Sequence, residues 1–218
     1  MPRQLRKAKP LIYVFCEGES EQAYSDVLKE FFSDRAVIKR PSSTGIFEEA
    51  SVVFDKNPKY KNNIEVTDEI WFFFDVEKKD VEKWDARHKI INNLRKLRKD
   101  RKIKVRLLMT TACIEYWLML HYRMFAPPIE TVAHKENMKA QVVRKVPEYK
   151  KGDFDSIKKI AQNYTTAVEN AEKTIKNLLP EGLPSVEDTD ERNKWLYTKC
   201  KTFSTVSEAI RYLESLKI

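Results

Sequence analysis

Two runs, LIYVFC at residues 11–16 and EIWFFFD at residues 69–75, are almost unbroken strings of aliphatic and aromatic side chains, and they limit the possible folds more than any other feature. A strand with one wet face alternates apolar and polar residues. A strand apolar at every position must be covered on both faces, as in a parallel sheet layered between helices. Each run breaks off into acid: the first into Glu17-Gly18-Glu19-Ser20-Glu21, the second into Asp75-Val76-Glu77, with Asp80 beyond.

Helical spacing follows each acidic turn. Ala23, Tyr24, Val27, Leu28, Phe31 and Phe32 recur at intervals of three and four, with Ser20 as a candidate cap. Val81, Trp84, His88, Ile91, Leu94 and Leu97 mark a second helix of about five turns. Residues 37–40 and 103–109 read as further strands, residues 46–56 as a modest helix and residues 113–124 as an apolar helix. The polar stretch 59–63 looks disordered, and residues 127–151 are basic and irregular. Residues 154–179 carry one long 3.6-residue pattern, residues 184–193 form an acidic loop, and residues 206–216 form a terminal helix. The expected fold is α/β: a mainly parallel sheet flanked by helices over residues 1–125, with a helical extension over residues 126–218 packed on it as one structural domain.

At 218 residues with 42% hydrophobic side chains, the chain is long enough for one good core. No stretch approaches the ~20 apolar residues of a membrane span, so a cytoplasmic protein is expected. Cys16, Cys113 and Cys200 form no CxxC pair and read as buried or inert thiols. Lys and Arg outnumber Asp and Glu by 41 to 33, and the excess concentrates in residues 95–106, where eight of twelve are basic. Arg95, Lys96, Arg98, Lys99, Arg101 and Lys102 are therefore candidate phosphate contacts; a solvated helix end is the equally weighted reading.

In parallel sheets ligands bind beyond the carboxyl ends of the strands, where both acidic clusters fall. Carboxylates held side by side there repel, and a cation removes the penalty. Oxygen donors without His or Cys suit Mg²⁺ or Mn²⁺. Glu17 and Glu21 face one side if the helix begins at once, and Asp75 and Glu77 point the same way on an extended chain. Glu19 falls on the opposite side. His121 is expected to be a hydrogen-bonded core histidine, and the four tryptophans to be core.

The string Val14-Phe15-Cys16-Glu17-Gly18-Glu19-Ser20-Glu21, with Tyr24 one turn on, resembles the first motif of the RloB family of the Toprim superfamily. Residues 71–77 (WFFFDVE) resemble its DxD strand, residues 112–121 (ACIEYWLMLH) its "CFExWLLLH" helix, and Tyr149-Lys150-Lys151 its "YxK" element. Glu77 departs from the family's usual Asp. The resemblance implies that Glu17 is a metal ligand or general acid/base, Glu21 a second acid, and Asp75 and Glu77 the DxD ligands. Glu115 would be an additional acid, with a satisfied buried acid as the other reading. Lys151, or Lys150 beside it, would stabilise the transition-state phosphate. A Mg²⁺- or Mn²⁺-dependent nuclease acting on DNA or RNA, transfer RNA included, is implied, serving anti-phage defence beside an ATPase of the AAA or ABC type. The chain has no GxxxxGK[ST] loop of its own. The competing reading is a Toprim-like binding or assembly module with a weak metal site; nucleotidyl transfer ranks third, for want of a triphosphate motif.

Overall fold

The computed structural model describes residues 9–41 and 45–217. Met1–Lys9, the basic lead of the sequence, therefore lies outside the described residues except for Lys9, as does most of the loop after Pro41. Four strands, β1 (Leu11–Cys16), β2 (Val37–Lys39), β3 (Thr67–Val76) and β4 (Lys104–Thr111), form one sheet in the order β2-β1-β3-β4. Every pair is parallel, as continuous apolar runs require. Helices connect them: α1 (Glu19–Phe31) after β1, α2 (Phe47–Lys56) and the single turn α3 (Pro58–Lys61) after β2, and α4 (Trp84–Arg95) after β3. Beyond β4 come α5 (Ile114–Leu120), α6 (Val132–Lys145), α7 (Phe154–Ala161), α8 (Tyr164–Lys176), α9 (Asp190–Lys199) and α10 (Val206–Ser215).

The sheet divides the core in two because successive strand side chains point to opposite faces. Ile12, Val14, Cys16, Trp71, Phe73 and Leu108 pack with α1, α5, α7, α8 and α10. Tyr13, Phe15, Phe72, Phe74, Leu107 and Met109 pack with α2, α4 and α9. Trp71, Trp84 and Trp117 are core, and Trp195 is partly buried against it. Beyond residue 126, α7 packs on α1 and α10 on β4. The open edge of β4 is closed by residues 203–205: Thr111 donates its N–H to Phe203 O, and Thr205 its own to Met109 O. No helix of the described residues is long and apolar enough to cross a membrane.

Several elements differ from the sequence reading. Residues 59–63, read as disordered, include the turn α3, started by Pro58 and capped by the Asn57 side chain on Lys59 N. The helix expected over 81–97 begins as a 3-10 turn, Lys78–Lys83, before α4. The single pattern of residues 154–179 is broken at Gln162 and Asn163, so α7 and α8 follow different walls of the core. The last four residues of the expected acidic loop, 190–193, belong to α9, which is started by the Thr189 hydroxyl accepting from Arg192 N. The irregular basic stretch contains α6, a 14-residue helix that buries only Met138 and Val142 and so has almost no amphipathic signature.

Candidate metal centre at the carboxyl end of the sheet

β1 and β3 end side by side, with Cys16 opposite Phe73, and Glu17 extends the ladder by donating its N–H to Phe73 O. Its side chain returns the contact: Glu17 Oε2 accepts from the Asp75 backbone N–H at 3.0 Å. Glu17 is thus fastened to the end of β3 through both its backbone and its side chain. Helix α1 starts immediately, with Gly18 rather than Ser20 at the cap position, and swings the buried Glu21 back over the strand ends. A Cβ at position 18 would lie 2.7 Å from Glu21 Oε2, so glycine is needed for that approach.

Glu115 comes from the first turn of α5. The chain reaches it through Ala112, a non-glycine residue at φ 66, where the left-handed backbone costs about 1–2 kcal/mol. Glu115 is buried, and its Oε1 accepts from Tyr149 Oη at 3.0 Å. The 149–152 segment is tied down at Gly152, whose N–H donates to Ser20 Oγ at 2.9 Å. Gly152 has φ +76, and a Cβ there would lie 2.9 Å from Glu19 Cβ. This turn brings Lys151 to bear on Glu21 and Asp75, while the neighbouring Lys150 acts on Asp153 instead.

The electrostatics follow from crowding. Burial, followed by repulsion from Glu21, Glu17 and Glu115, pushes the Asp75 carboxyl well above the ordinary range, against the pull of Lys151. Burial, with Glu17 and Glu115 adding to it, raises Glu21 to about 7 even though Lys151 draws it down. Asp75 Oδ1 is buried and has no hydrogen-bond partner. A buried carboxylate oxygen without a donor is costly unless a proton or a cation meets it.

The soft and nitrogen donors nearby are committed elsewhere. His121 Nδ1 donates to Trp117 O at 3.0 Å, leaving Nε2 to accept from Tyr24 Oη at 3.1 Å, and burial lowers its pKa to about 4. It is the hydrogen-bonded core histidine the sequence indicated. Burial pushes the Cys16 thiol to about 12 and the Cys113 thiol upward as well, so neither is a ready thiolate. Any ion here would meet carboxylate oxygens alone, a donor set that fits Mg²⁺ or Mn²⁺. Among the described residues, no group of three or more His, Cys, Asp or Glu side chains stands ready-arranged around a metal position.

The predicted acids Glu17, Glu21, Asp75 and Glu115 and the predicted Lys151 are therefore brought together. Glu77 turns instead into an adjoining cleft, where Lys79 and Lys135 each hold one of its oxygens at 3.0 Å. Partial burial pushes its carboxyl up, but the two lysines outweigh that and hold it below its ordinary value. Glu77 lies one residue past the end of β3 but is still extended, with φ −124° and ψ 149°, so it is the pairing with Lys79 and Lys135, not a break in the strand, that keeps its carboxylate in the cleft.

The basic run lies at the opposite end of the sheet. Lys104 pairs in register with Glu69 and Thr110 with Asp75, six residues on, which separates the basic loop from the acids by roughly 20 Å. Its arginines are largely consumed inside the molecule: Arg95 grips Asp190, Arg98 binds Asp100, and Arg101 binds Asp68. Lys96, Lys99 and Lys102 are exposed. Sequence reasoning passed over Tyr149 as a partner of Glu115, Gly152 as the hinge of the lysine turn, and Lys79 and Lys135. The Tyr-Lys-Lys-Gly string was a turn signal, but only the fold reveals what it turns toward.

No curated protein matches this chain. The family model described as "RloB-like protein" matches residues 12–213, nearly its whole length, and the chain belongs to that family.

Proposed function

We propose that the chain is a metal-dependent phosphodiesterase acting on nucleic acid, with its centre at the carboxyl ends of β1 and β3. Its main support is the Asp75 carboxylate, whose buried Oδ1 lacks a partner while Glu17, Glu21 and Glu115 crowd around it. A divalent cation among these oxygens would supply neutralisation of phosphate charge and a more acidic water. The chain's own groups divide the remaining work. The Asp75 N–H fixes the Glu17 carboxylate at the lip of the sheet. Glu21, raised to about 7 by burial in the metal-free protein, would give up its proton when a cation joins the cluster, so that its carboxylate becomes available to the metal near neutrality. Tyr149 orients Glu115, and Lys151 opposes negative charge developing on the phosphoryl oxygens.

Membership of the RloB-like family favours a Toprim-type centre and a role in anti-phage defence, with control supplied by an ATPase of the AAA or ABC type. A second reading, a Toprim-like binding or assembly module, is favoured by two observations: among the described residues no metal position is ready-arranged, and Glu77 is held in the next cleft. Incubation with labelled plasmid, single-stranded DNA and total transfer RNA, in Mg²⁺, Mn²⁺ or EDTA, separates the two. Cleavage that needs metal and vanishes in both Glu17→Ala and Asp75→Ala supports the enzyme and identifies its substrate class. Intact substrates without Mn²⁺ binding favour the module, and intact substrates with Mn²⁺ bound point to a missing activator.

A further inference from the structure

Beside the acid cluster, a cleft of about 220 Å³ opens between the ends of β3 and β4 and the start of α6. Val76, Thr111 and Ala112 line its base, and Lys78, Lys79 and Lys135 enter it from two separate elements. Each lysine is neutralised by a carboxylate and by nothing larger: Lys78 meets Glu130 at 3.0 Å, and Lys79 and Lys135 share Glu77. Three ammonium groups converging on two carboxylates, one residue along the chain from the strand that carries Asp75, form an anion site occupied by the protein's own side chains.

We infer that this cleft is the phosphodiester-binding subsite of the centre, with Glu77 and Glu130 standing where backbone phosphates of a nucleic-acid strand sit. The inference rests on the nucleic-acid reading above and specifies where the strand is gripped. Three observations support it. Lys78 and Lys79 are about two-thirds exposed and Glu130 about half, so the Lys78–Glu130 pair sits in high dielectric and is cheaply exchanged for another anion, while Glu77 and Lys135, about a quarter and a third exposed, form the more sheltered end of the cleft. Lys139 lies one turn beyond Lys135 on α6 and is exposed, which continues the positive track away from the cleft. The strongest basic run cannot take this part, because it lies at the far end of the sheet, roughly 20 Å from the acids.

Strand binding then has a consequence for Glu77. A phosphate that takes Lys79 and Lys135 leaves the Glu77 carboxylate unpaired, free to turn toward Asp75, so gripping the strand and completing the acid cluster become one event. No covalent step is involved, only the exchange of one anion for another on the same two lysines.

The test is made in EDTA, so that it does not depend on metal, with a fluorescein-labelled single-stranded oligonucleotide titrated at several salt concentrations. Lys79→Gln/Lys135→Gln should weaken binding and make the slope of log K against log salt shallower by roughly 1.4, the loss of two single-strand phosphate contacts. Glu77→Gln, which removes the competitor, should tighten binding severalfold. Glu136→Gln deletes the same charge from the exposed side of α6 and should tighten it much less. Unchanged affinity and slope in the double lysine variant, equal effects of Glu77→Gln and Glu136→Gln, or no binding by any of these proteins would overturn the subsite. Failure of the metal reading would appear separately, as absence of Mn²⁺ binding that depends on Asp75.

Discussion

Glu21→Gln should make the metal-free protein more stable at alkaline pH, although it replaces an acid at the centre of the site. Glu21 is buried, and its carboxyl is raised from 4.5 to about 7, chiefly by burial and then by Glu17 and Glu115. A carboxyl whose folded pKa exceeds its unfolded one favours the folded state when protonated. Between those two values the folded protein binds more protons than the unfolded chain, so stability falls as pH rises through this window. A shift of about 2.5 units corresponds to about 3 kcal/mol, fully expressed above pH 7 and absent below about 4.5. Glutamine keeps the shape and removes the ionisation. The difference between variant and wild type should therefore be near zero at pH 4.5, grow through pH 6, and level off above pH 7. At about 2–4 °C per kcal/mol for a chain of this size, the plateau is roughly 6–12 °C in Tm. Thermal unfolding followed by circular dichroism in EDTA from pH 4.5 to 8.5 measures it. A difference that does not change with pH, or a variant less stable than wild type at pH 8, would refute the crowded-carboxylate account of this cluster.

The same crowding predicts that Mn²⁺ at 100 times its Kd stabilises the wild type by about 2.7 kcal/mol, and that Asp75→Asn abolishes the gain; calorimetric titration with parallel melting curves decides this. Tyr149→Phe leaves the buried Glu115 Oε1 without its donor and should cost roughly 1–3 kcal/mol in urea unfolding, whereas a loss near zero would mean that water replaces the hydroxyl. Gly152→Ala meets both a positive φ and the Glu19 Cβ, so it should lose more than about 1 kcal/mol in the same assay. A wild-type midpoint for Gly152→Ala would show that the lysine turn is not constrained as described.

The elements legible in the sequence were those with a single physical solution. β1 and β3 could hardly be anything but strands covered on both faces, and a parallel sheet layered between helices follows from that. The acids at their ends were legible for the same reason, since a buried strand that stops in acid leaves its carboxylates at the lip. α6 and α9 were not legible. One buries only two apolar residues, and the other buries Arg192 and Asn193, polar side chains satisfied by Asp188 and Glu208, which no hydropathy pattern announces. Nor could spacing reveal that Gly152 bonds Ser20 across 132 residues, which is what turns Lys151 rather than Lys150 toward the acids.

Charge was the least faithful guide, and the reason is geometric. A run of eight cations in twelve residues reads as a surface seeking phosphate, yet a parallel sheet places the loop before a strand at the end opposite the loops after its neighbours. There the arginines meet Asp68, Asp100 and Asp190 and hold α4, β3 and α9 to one another. The cations at or beside the acid cluster are few and scattered through the sequence, Lys151 at the cluster and Lys78, Lys79 and Lys135 in the adjoining cleft, and none stands out in a composition window. Three of them are paired with carboxylates in the resting protein. If the centre binds both a cation and a polyanion, as proposed, bare charge of either sign would attract the wrong partner. Acids kept partly protonated by burial, beside lysines neutralised by exchangeable glutamates, would then satisfy both requirements until the two ligands arrive together.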